Sequence, residues 1–303
     1  MFKKVLKWIG IVLGGLVGLL VLVALGLYLL GTSQLDKKYD VPVEAINVPA
    51  DAQAVGRGEH LAAIFMCTRC HTENLGGEVY FDVPGMVSIP TPNLTTGSGG
   101  IGAAYSNEDL ARAIRHGVNR DGQALFIMPA KAFQYLSDAD LEAIIAYVRS
   151  MPPVDNSLPE RRVELMGRLM MGAGMFPPFA AAQIDHTSPP SSAPDPGVTA
   201  EYGQYLAHVC TECHGANLNG APFGPPGQEV LTPNLTPGGE LSAWSEQDFI
   251  NTIRSGVTPS GRSLNEEMPW KSFGQMTGDE LQAVWMYLQA LPALDLGKLS
   301  GAN

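Results

Sequence analysis

The stretch that decides the fold occurs twice, as Cys67-Thr68-Arg69-Cys70-His71 and, 143 residues later, as Cys210-Thr211-Glu212-Cys213-His214. Two thiols at this spacing can form thioethers with the vinyl groups of a haem, and the following histidine offers an imidazole to the iron. A bare Cys-x-x-Cys would leave a redox dithiol or a zinc site open. The added histidine occurs twice in a chain whose four cysteines are all used, and it predicts two covalently bound haem c groups.

The two motifs lie in an internal duplication. Residues 91–95 and 232–236 share the sequence Thr-Pro-Asn-Leu-Thr. Further on, Ser106 and Ser245 can each cap a helix, with an acid three residues later as in a capping box. Both of these helices end at Arg-x-Gly-Val, whose glycine is typical of a C-terminal stop. The repeat therefore predicts two homologous domains.

The last helix of each half completes the predicted domain. Ser137 and Thr277 cap these helices, and their apolar positions trace one helical face. No convincing strand pattern is present, so we expect an all-α chain of two tandem domains behind one N-terminal transmembrane helix. The expected segments are 1–35 (cytoplasmic N-terminus and anchor), 36–50 (extracytoplasmic linker), 51–151 (domain 1), 152–198 (Pro-rich linker with a short helix), 199–293 (domain 2) and 294–303 (C-terminal tail).

A haem held by one histidine has a second axial position to fill. Met128 and Met268 each precede a proline, and they lie 57 and 54 residues beyond His71 and His214. The other methionines have no methionine counterpart in the other half. Methionine is also common core filler, but the repeat favours Met128 and Met268 as iron ligands. The remaining histidines lack aligned partners and are interpreted as ordinary helix or loop residues.

Each proximal imidazole needs a partner for its other ring nitrogen. Such a partner is commonly a backbone carbonyl, which fixes the ring orientation. Carbonyls near Pro84-Gly85 and Pro226-Gly227, about a dozen residues beyond each histidine, are candidates by spacing. Tight turns with no role at the iron explain these Pro-Gly pairs equally well.

The N-terminus predicts a membrane anchor. Lys3, Lys4 and Lys7 precede the uncharged stretch 8–35, whose first 24 residues are strongly apolar. As a helix these 24 residues span about 36 Å, enough to cross a ~30 Å hydrocarbon core. A small-x-small cleavage site is not evident, which favours an uncleaved anchor over a removed signal peptide. The lysines place the N-terminus in the cytoplasm. The haem domains are then expected on the periplasmic side of a bacterial inner membrane, where haem c is attached.

The net charge of the chain limits the kinds of partner that it can bind. Residues 41–303 contain 14 Lys and Arg against 28 Asp and Glu, a net charge of −14. This field opposes nucleic-acid binding and favours a protein partner with a basic docking face.

The linker contains one segment with helical character, 161–171, with three arginines and a methionine-rich face. We expect it to form a bridging helix packed between the two domains. The alternative is docking on the membrane surface or on a partner.

The repeated elements together resemble the class I cytochrome c domain. More narrowly, they resemble the multi-haem cytochrome subunits that accompany membrane-bound alcohol and gluconate dehydrogenases. The resemblance covers about residues 51–151 and 199–293; such subunits typically carry three domains of this kind, and this chain has two. It implies single-electron transfer, without a catalytic residue, between a dehydrogenase or respiratory donor and a downstream acceptor.

Two functional alternatives stay open at this stage. A dihaem peroxidase has a similar length and haem count, but it needs an open iron site, which the repeated methionine argues against. A fixed subunit of a dehydrogenase or respiratory complex differs from a free electron carrier only in whether it stays bound to its partner. The sequence does not distinguish the fixed subunit from the free carrier.

Overall fold

Helices make up most of the regular secondary structure. The structure, a computed structural model, describes residues 2–42, 45–188, 192–224 and 229–298. Within those residues the helices are α1 (Phe2–Asp36), α2 (Ala52–Ile64), α3 (Cys67–His71), α4 (Asn107–His116), α5 (Ala130–Phe133), α6 (Asp138–Ser150), α7 (Leu165–Gly172), α8 (Ala200–Ala207), α9 (Thr211–His214), α10 (Glu246–Ser255), α11 (Trp270–Phe273) and α12 (Gly278–Ala290). The strands are β1 (Glu78–Val83), β2 (Val87–Thr91), β3 (Arg162–Val163), β4 (Pro222–Phe223) and β5 (Val230–Leu231).

Helix α1 is long and apolar enough to cross a membrane, which makes it a candidate span by length and composition. Most of its side chains are exposed, and only Gly31 and Leu35 near its C-terminal end are buried. An apolar helix that the protein leaves uncovered requires another apolar environment, which a bilayer supplies.

Each domain is built on a close crossing of its first and last helices. In domain 1, α2 crosses α6 at Gly58, where an added Cβ would lie 1.8 Å from the carbonyl oxygen of Ala143. In domain 2, α8 crosses α12 at Gly203, where an added Cβ would lie 1.9 Å from the oxygen of Ala283. Any side chain at these glycines would push the helices apart. The repeated glycine therefore fixes the same frame in both halves.

The predicted helix boundaries are confirmed. Ser106 and Ser245 close reciprocal capping boxes at the starts of α4 and α10. Gly117 and Gly256 end the same helices with φ of 64° and 72°, in the left-handed region that favours glycine. Thr277 closes a third box at the start of α12.

The expectation that the chain has no strands is wrong locally. Strand β2 pairs antiparallel with both β1 and β3, and β4 pairs with β5. Almost all of β1 is exposed, so it shows no alternation of buried and exposed side chains. A period of two arises only where one face of a strand is buried, and the sequence therefore carried no strand signal here.

The linker helix is real, but its expected place between the domains is wrong. Helix α7 packs against the C-terminal part of α1 and beside β3. Its buried Met171 joins Leu35 of α1 and Val87 of β2 in one apolar cluster. The helix therefore joins the candidate membrane span to domain 1. Residues 189–191 of the predicted Pro-rich linker, 152–198, lie outside the described residues.

The two domains share one apolar core. A single cluster contains buried side chains from both halves, among them Leu61, Ile64 and Phe133 of domain 1 and Leu206, Phe273 and Leu281 of domain 2. At its edge the Tyr135 ring stacks on His208 with ring centroids 3.8 Å apart. The domains thus form one packed unit.

Two buried carboxylates connect the domains in matching ways. Asp140 in α6 accepts a 2.6 Å hydrogen bond from Arg57 of its own domain and a 2.6 Å bond from the Tyr205 hydroxyl of domain 2. Glu280, at the corresponding position of α12, lies 2.9 Å from Nε2 of His60 in domain 1. Tyr202 of its own domain donates to it across 3.4 Å.

The two tyrosines allow a matched test of this interface. We expect Tyr205→Phe to lower the free energy of unfolding by about 1–3 kcal/mol, because it leaves buried Asp140 short of a donor. It also removes the oxygen that accepts the Ser137 amide across 3.1 Å. Tyr202→Phe removes only the 3.4 Å contact and should cost less. Guanidinium unfolding followed by circular dichroism measures both, and equal losses would contradict the assignment.

The His60–Glu280 pair should make stability depend on pH. The hydrogen bond to Glu280 raises the pKa of His60 despite partial burial. Burial alone would raise the pKa of Glu280, but hydrogen bonds from His60 and the Thr277 amide lower it. The His60 contribution is complete below its unfolded pKa of about 6.5 and is lost as pH rises through the higher folded value. The Glu280 contribution is lost as pH falls through its lowered folded pKa.

Because this contribution is lost between about pH 6 and pH 8, we expect His60→Asn to shift the slope of the unfolding free energy against pH toward more positive values in that range. His208→Asn is the control, because burial lowers the pKa of His208 and its contribution has the opposite sign. Unfolding midpoints across the pH series measure the slopes. A slope unchanged by His60→Asn would show that the pair does not titrate as described.

Candidate functional site

The two Cys-x-x-Cys-His motifs occupy equivalent places in the two domains. Helix α3 follows α2 through Met66, whose φ of 64° turns the chain sharply into the motif. Helix α9 follows α8 through a short 3-10 turn over His208–Cys210. His71 and His214 are both buried, at 9% and 6% exposure. Each short helix thus turns its histidine into the domain interior.

A proline carbonyl holds each imidazole. Nδ1 of His71 lies 2.9 Å from the Pro92 oxygen, and Nδ1 of His214 lies 2.8 Å from the Pro233 oxygen. A carbonyl can only accept, so Nδ1 carries the proton and Nε2 keeps its lone pair for a metal. Burial lowers the pKa of both rings, although the carbonyl bond opposes the shift, and the rings stay neutral.

The prediction that a carbonyl near Pro84-Gly85 accepts the hydrogen bond of the His71 imidazole is therefore wrong. That pair lies in the turn between β1 and β2, whereas the acceptor comes from the Thr-Pro-Asn-Leu-Thr loop. Pro226-Gly227 lies outside the described residues, and in domain 2 the acceptor is Pro233. The exact repetition of that loop was the signal that could have identified it.

Side chains on either side of the proline pin the loop. The Thr91 hydroxyl donates to the Cys70 carbonyl across 2.5 Å, and Thr232 donates to the Cys213 carbonyl across 2.9 Å. Two residues after each threonine comes a buried asparagine. Asn93 donates across 2.7 Å to the Val154 carbonyl beyond the last helix of domain 1. The acceptor is thus anchored both to the motif and to the end of its domain.

The four thiols are free rather than joined in disulfides. Burial, reinforced by the neighbouring cysteine, raises the pKa of Cys67 and of Cys210 to about 12. Redox dithiols react as thiolates, and such burial disfavours the thiolate form. No group of three or more His, Cys, Asp or Glu side chains suited to a metal ion occurs in the described part of the chain. The environment fits thiols that form covalent thioethers.

Two neighbouring cavities, which share several lining residues, lie beside the motifs. One, of about 370 Å³, belongs to domain 2 and has Cys213, His214 and Met268 among its lining residues. The other, of about 290 Å³, is lined by residues of both domains, including His71 and Met128 of domain 1 and again His214 and Met268. We call this second one the shared cavity. Residues of both Cys-x-x-Cys-His motifs and both predicted methionines line it.

The cavities suit a flat, mostly apolar cofactor. Trp244, Phe249 and Ile253 line the domain 2 cavity, and Phe65, Phe133 and Ile144 are among the residues that line the shared cavity. The buried hydroxyl of Thr252 lines the domain 2 cavity without a hydrogen-bond partner among the described residues. Paired thiols, a neutral imidazole and a thioether around an apolar cavity are the groups that a haem c needs.

The other histidines lie elsewhere. His116 and His186 face each other with their Nδ1 atoms 3.1 Å apart. They line a separate cavity at the surface of domain 1. His60 and His208 belong to the domain interface. The structure thus brings every predicted axial residue to the cavities and keeps the remaining histidines away from them.

Comparison with known proteins assigns both domains. Residues 53–148 match the family model of the cbb3-type cytochrome c oxidase subunit III, and residues 200–292 match the model of cytochrome c. Each matched range contains one Cys-x-x-Cys-His motif and one of the two methionines predicted as iron ligands. Two cytochrome c domains imply two covalently bound haem c groups.

The chain also resembles curated cytochrome subunits of dehydrogenases. It is 28% identical to the fructose dehydrogenase cytochrome subunit of Gluconobacter japonicus, over 83% of this chain and 55% of that protein. It is 29% identical to the cytochrome c subunit of the quinone alcohol dehydrogenase of Gluconobacter oxydans, over 84% and 58%. The gluconate 2-dehydrogenase cytochrome c subunit of Pantoea cypripedii is 27% identical, over 81% and 62%.

The chain spans a little over half the length of these relatives, and the similarity runs through both of its haem-binding halves. The names of these relatives describe cytochrome subunits of dehydrogenases. The chain therefore contains two cytochrome c domains, one in each half.

Proposed function

We propose that this chain is a membrane-anchored dihaem relay that carries electrons from a dehydrogenase or respiratory donor to a downstream acceptor. The haem domains lie on the extracytoplasmic side of a bacterial inner membrane. Helix α1 is the anchor, and residues 51–151 and 199–293 each hold one haem. A fixed subunit of a larger complex fits better than a free carrier, because α7 ties domain 1 to the candidate span.

The shared cavity is the observation that carries this proposal. Residues of both Cys-x-x-Cys-His motifs line one mostly apolar space, with Arg69 and Glu212 as charged residues in its lining, so the two haem sites adjoin. The Asp140 and Glu280 contacts on α6 and α12 hold the domains together around it. A fixed separation between the two haem sites gives electron transfer between them a constant distance. Two domains that moved independently would not keep that distance constant.

The residues that hold each haem follow from the cavity lining. Cys67 and Cys70 attach one haem, and Cys210 and Cys213 attach the other. His71 and Met128 supply the axial ligands in domain 1, and His214 and Met268 supply them in domain 2. When bound, each haem supplies an iron that exchanges one electron. A thioether ligand favours the ferrous state over what a second imidazole would give, and it fills the position that peroxide would need.

The methionine ligands have a spectroscopic test. Methionine–haem ligation gives ferric cytochromes a weak far-red charge-transfer band. We expect Met128→Ala and Met268→Ala each to remove roughly half of that band, and the double variant to abolish it. Met286→Ala is the matched control, since Met286 is 41% exposed and does not line either cavity. A full band in either cavity variant would show that its methionine is not a ligand.

Charge and similarity indicate the kind of partner. The strongly acidic haem-bearing region suits a partner with a basic docking face. The relatives are named as cytochrome subunits of fructose, alcohol and gluconate dehydrogenases. We therefore propose a dehydrogenase of small polyols, alcohols or sugar acids as the electron donor.

Membranes of the native organism test this function. Anaerobic addition of the correct substrate should reduce the c-type haem of this chain within seconds, and membranes from a strain without the gene should lack that absorbance change. Fructose, ethanol and gluconate are the first substrates to compare. If no dehydrogenase substrate reduces the haem, the donor proposal fails. Peroxide turnover by the purified holoprotein, with high-spin ferric haem, would establish the peroxidase alternative instead.

A further inference from the structure

Helix α7 presents an apolar face to the surroundings. Its partly or fully exposed side chains are Leu165, Met166, Leu169 and Met170, together with Arg168 at the edge of this face. Leu165 is 64% exposed and Met166 is 52% exposed, whereas Gly167 and Met171 on the opposite face are buried. The helix is therefore apolar nearly all round while only one side of it is covered by protein. Such a helix normally has its second side covered by protein or lipid.

The apolar character continues past the helix. Residues 169–182 include no charged or hydrogen-bonding side chain over fourteen consecutive positions. Met175 in this stretch is 45% exposed, and Pro177 and Pro178 are exposed as well. A surface loop of ordinary composition would have polar residues at such positions. We call α7 and this extension, residues 165–182, the collar.

The collar is fixed to the candidate membrane span. An added Cβ on Gly31 of α1 would lie 2.0 Å from the Arg168 carbonyl oxygen, and one on Gly172 would lie 1.9 Å from the Leu27 oxygen. The two helices thus touch backbone to backbone through two glycines. Arg168 also donates to the Thr32 hydroxyl across 3.0 Å. Contact is confined to the last turns of α1, where its apolar stretch ends.

Charge near the collar differs from that of the remaining haem-bearing chain. Residues 160–168 contain three arginines and two glutamates, a net charge of +1. Because residues 41–303 carry a net −14, the rest of that region carries −15. Anionic lipid headgroups repel an acidic surface and attract arginine. An anionic bilayer therefore repels this segment less than it repels the remaining haem-bearing chain taken as a whole.

We infer that the collar is a second membrane contact: it lies in the headgroup and upper acyl region of the bilayer, with Leu165, Met166 and Met175 buried in lipid. The occupant of its apolar face is the same bilayer that α1 crosses. The inference rests on the span of the proposed function. It adds a membrane-facing side of domain 1, which a span on a flexible tether would not define.

Cysteine accessibility tests the inference on the full-length holoprotein. The four native thiols are committed to haem, so one introduced cysteine per variant can be followed alone. Met166→Cys reports on the collar, and Met286→Cys, on the exposed face of α12, is the matched water-facing control. Leu20→Cys reports on the middle of α1. Each protein is placed singly in nanodiscs of phosphatidylethanolamine and phosphatidylglycerol and treated with a membrane-impermeant maleimide, with alkylation followed by intact mass.

A thiol in lipid neither ionises nor meets the reagent, so Met166→Cys should react at least about tenfold more slowly than Met286→Cys. Denaturation should bring the two rates together. Equal alkylation rates of Met166→Cys and Met286→Cys in nanodiscs, with Leu20→Cys protected, would overturn the inference. The anchor would stand in that case, and the apolar face of the collar would be assigned to a partner protein. Reactive Leu20→Cys would overturn the span and the collar together. The purified chain contains no partner subunit. Slow alkylation of Met166→Cys therefore supports burial of the collar in the bilayer rather than in a partner protein.

Discussion

The hydrogen bond between each motif histidine and a proline carbonyl is the contact on which the haem sites depend. It connects the Cys-x-x-Cys-His helix to the Thr-Pro-Asn-Leu-Thr loop, and the asparagine of that loop connects in turn to the chain beyond the last helix. In domain 2, Asn234 makes the corresponding bond to the Leu294 carbonyl. The orientation of the imidazole is thus set by the closure of the whole domain, and local distortion elsewhere in a domain is felt at its ligand.

Duplication alone would have produced two separate haem domains, and divergence at the interface made them one unit. Asp140 and Glu280 occupy the same position in the last helix of each half. Glu280 closes the capping box of α12, whereas Asp140 leaves its box open and binds Arg57 instead. Domain 1 then reaches Glu280 with a histidine, and domain 2 reaches Asp140 with a tyrosine. The two copies are complementary rather than identical, which specifies their pairing with each other.

Sequence patterns predicted the features that rest on local chemistry. The motifs, the caps at Ser106 and Ser245 and the stops at Gly117 and Gly256 each depend on the few residues around them. The carbonyl acceptor was missed because every residue has a carbonyl, so spacing alone could not identify Pro92. The position of α7 was missed because it depends on a glycine contact across more than 130 residues of sequence. Long-range contacts of this kind leave no periodic pattern in either segment.

The packing of α7 on α1 bears on the choice between a free carrier and a fixed subunit. A helix that left the bilayer and continued as a flexible chain would let the haem domains sample many orientations. Here α1 continues unbroken to Asp36, where Leu35 enters the cluster of β2 and α7. The contact between Gly31 and Arg168 fixes the angle between α1 and domain 1. Because domain 2 shares an apolar core with domain 1, its orientation to α1 is fixed as well. With α1 in a bilayer as proposed, such a chain would present its haem sites at one orientation to the membrane, which favours a constant neighbour over successive diffusing ones.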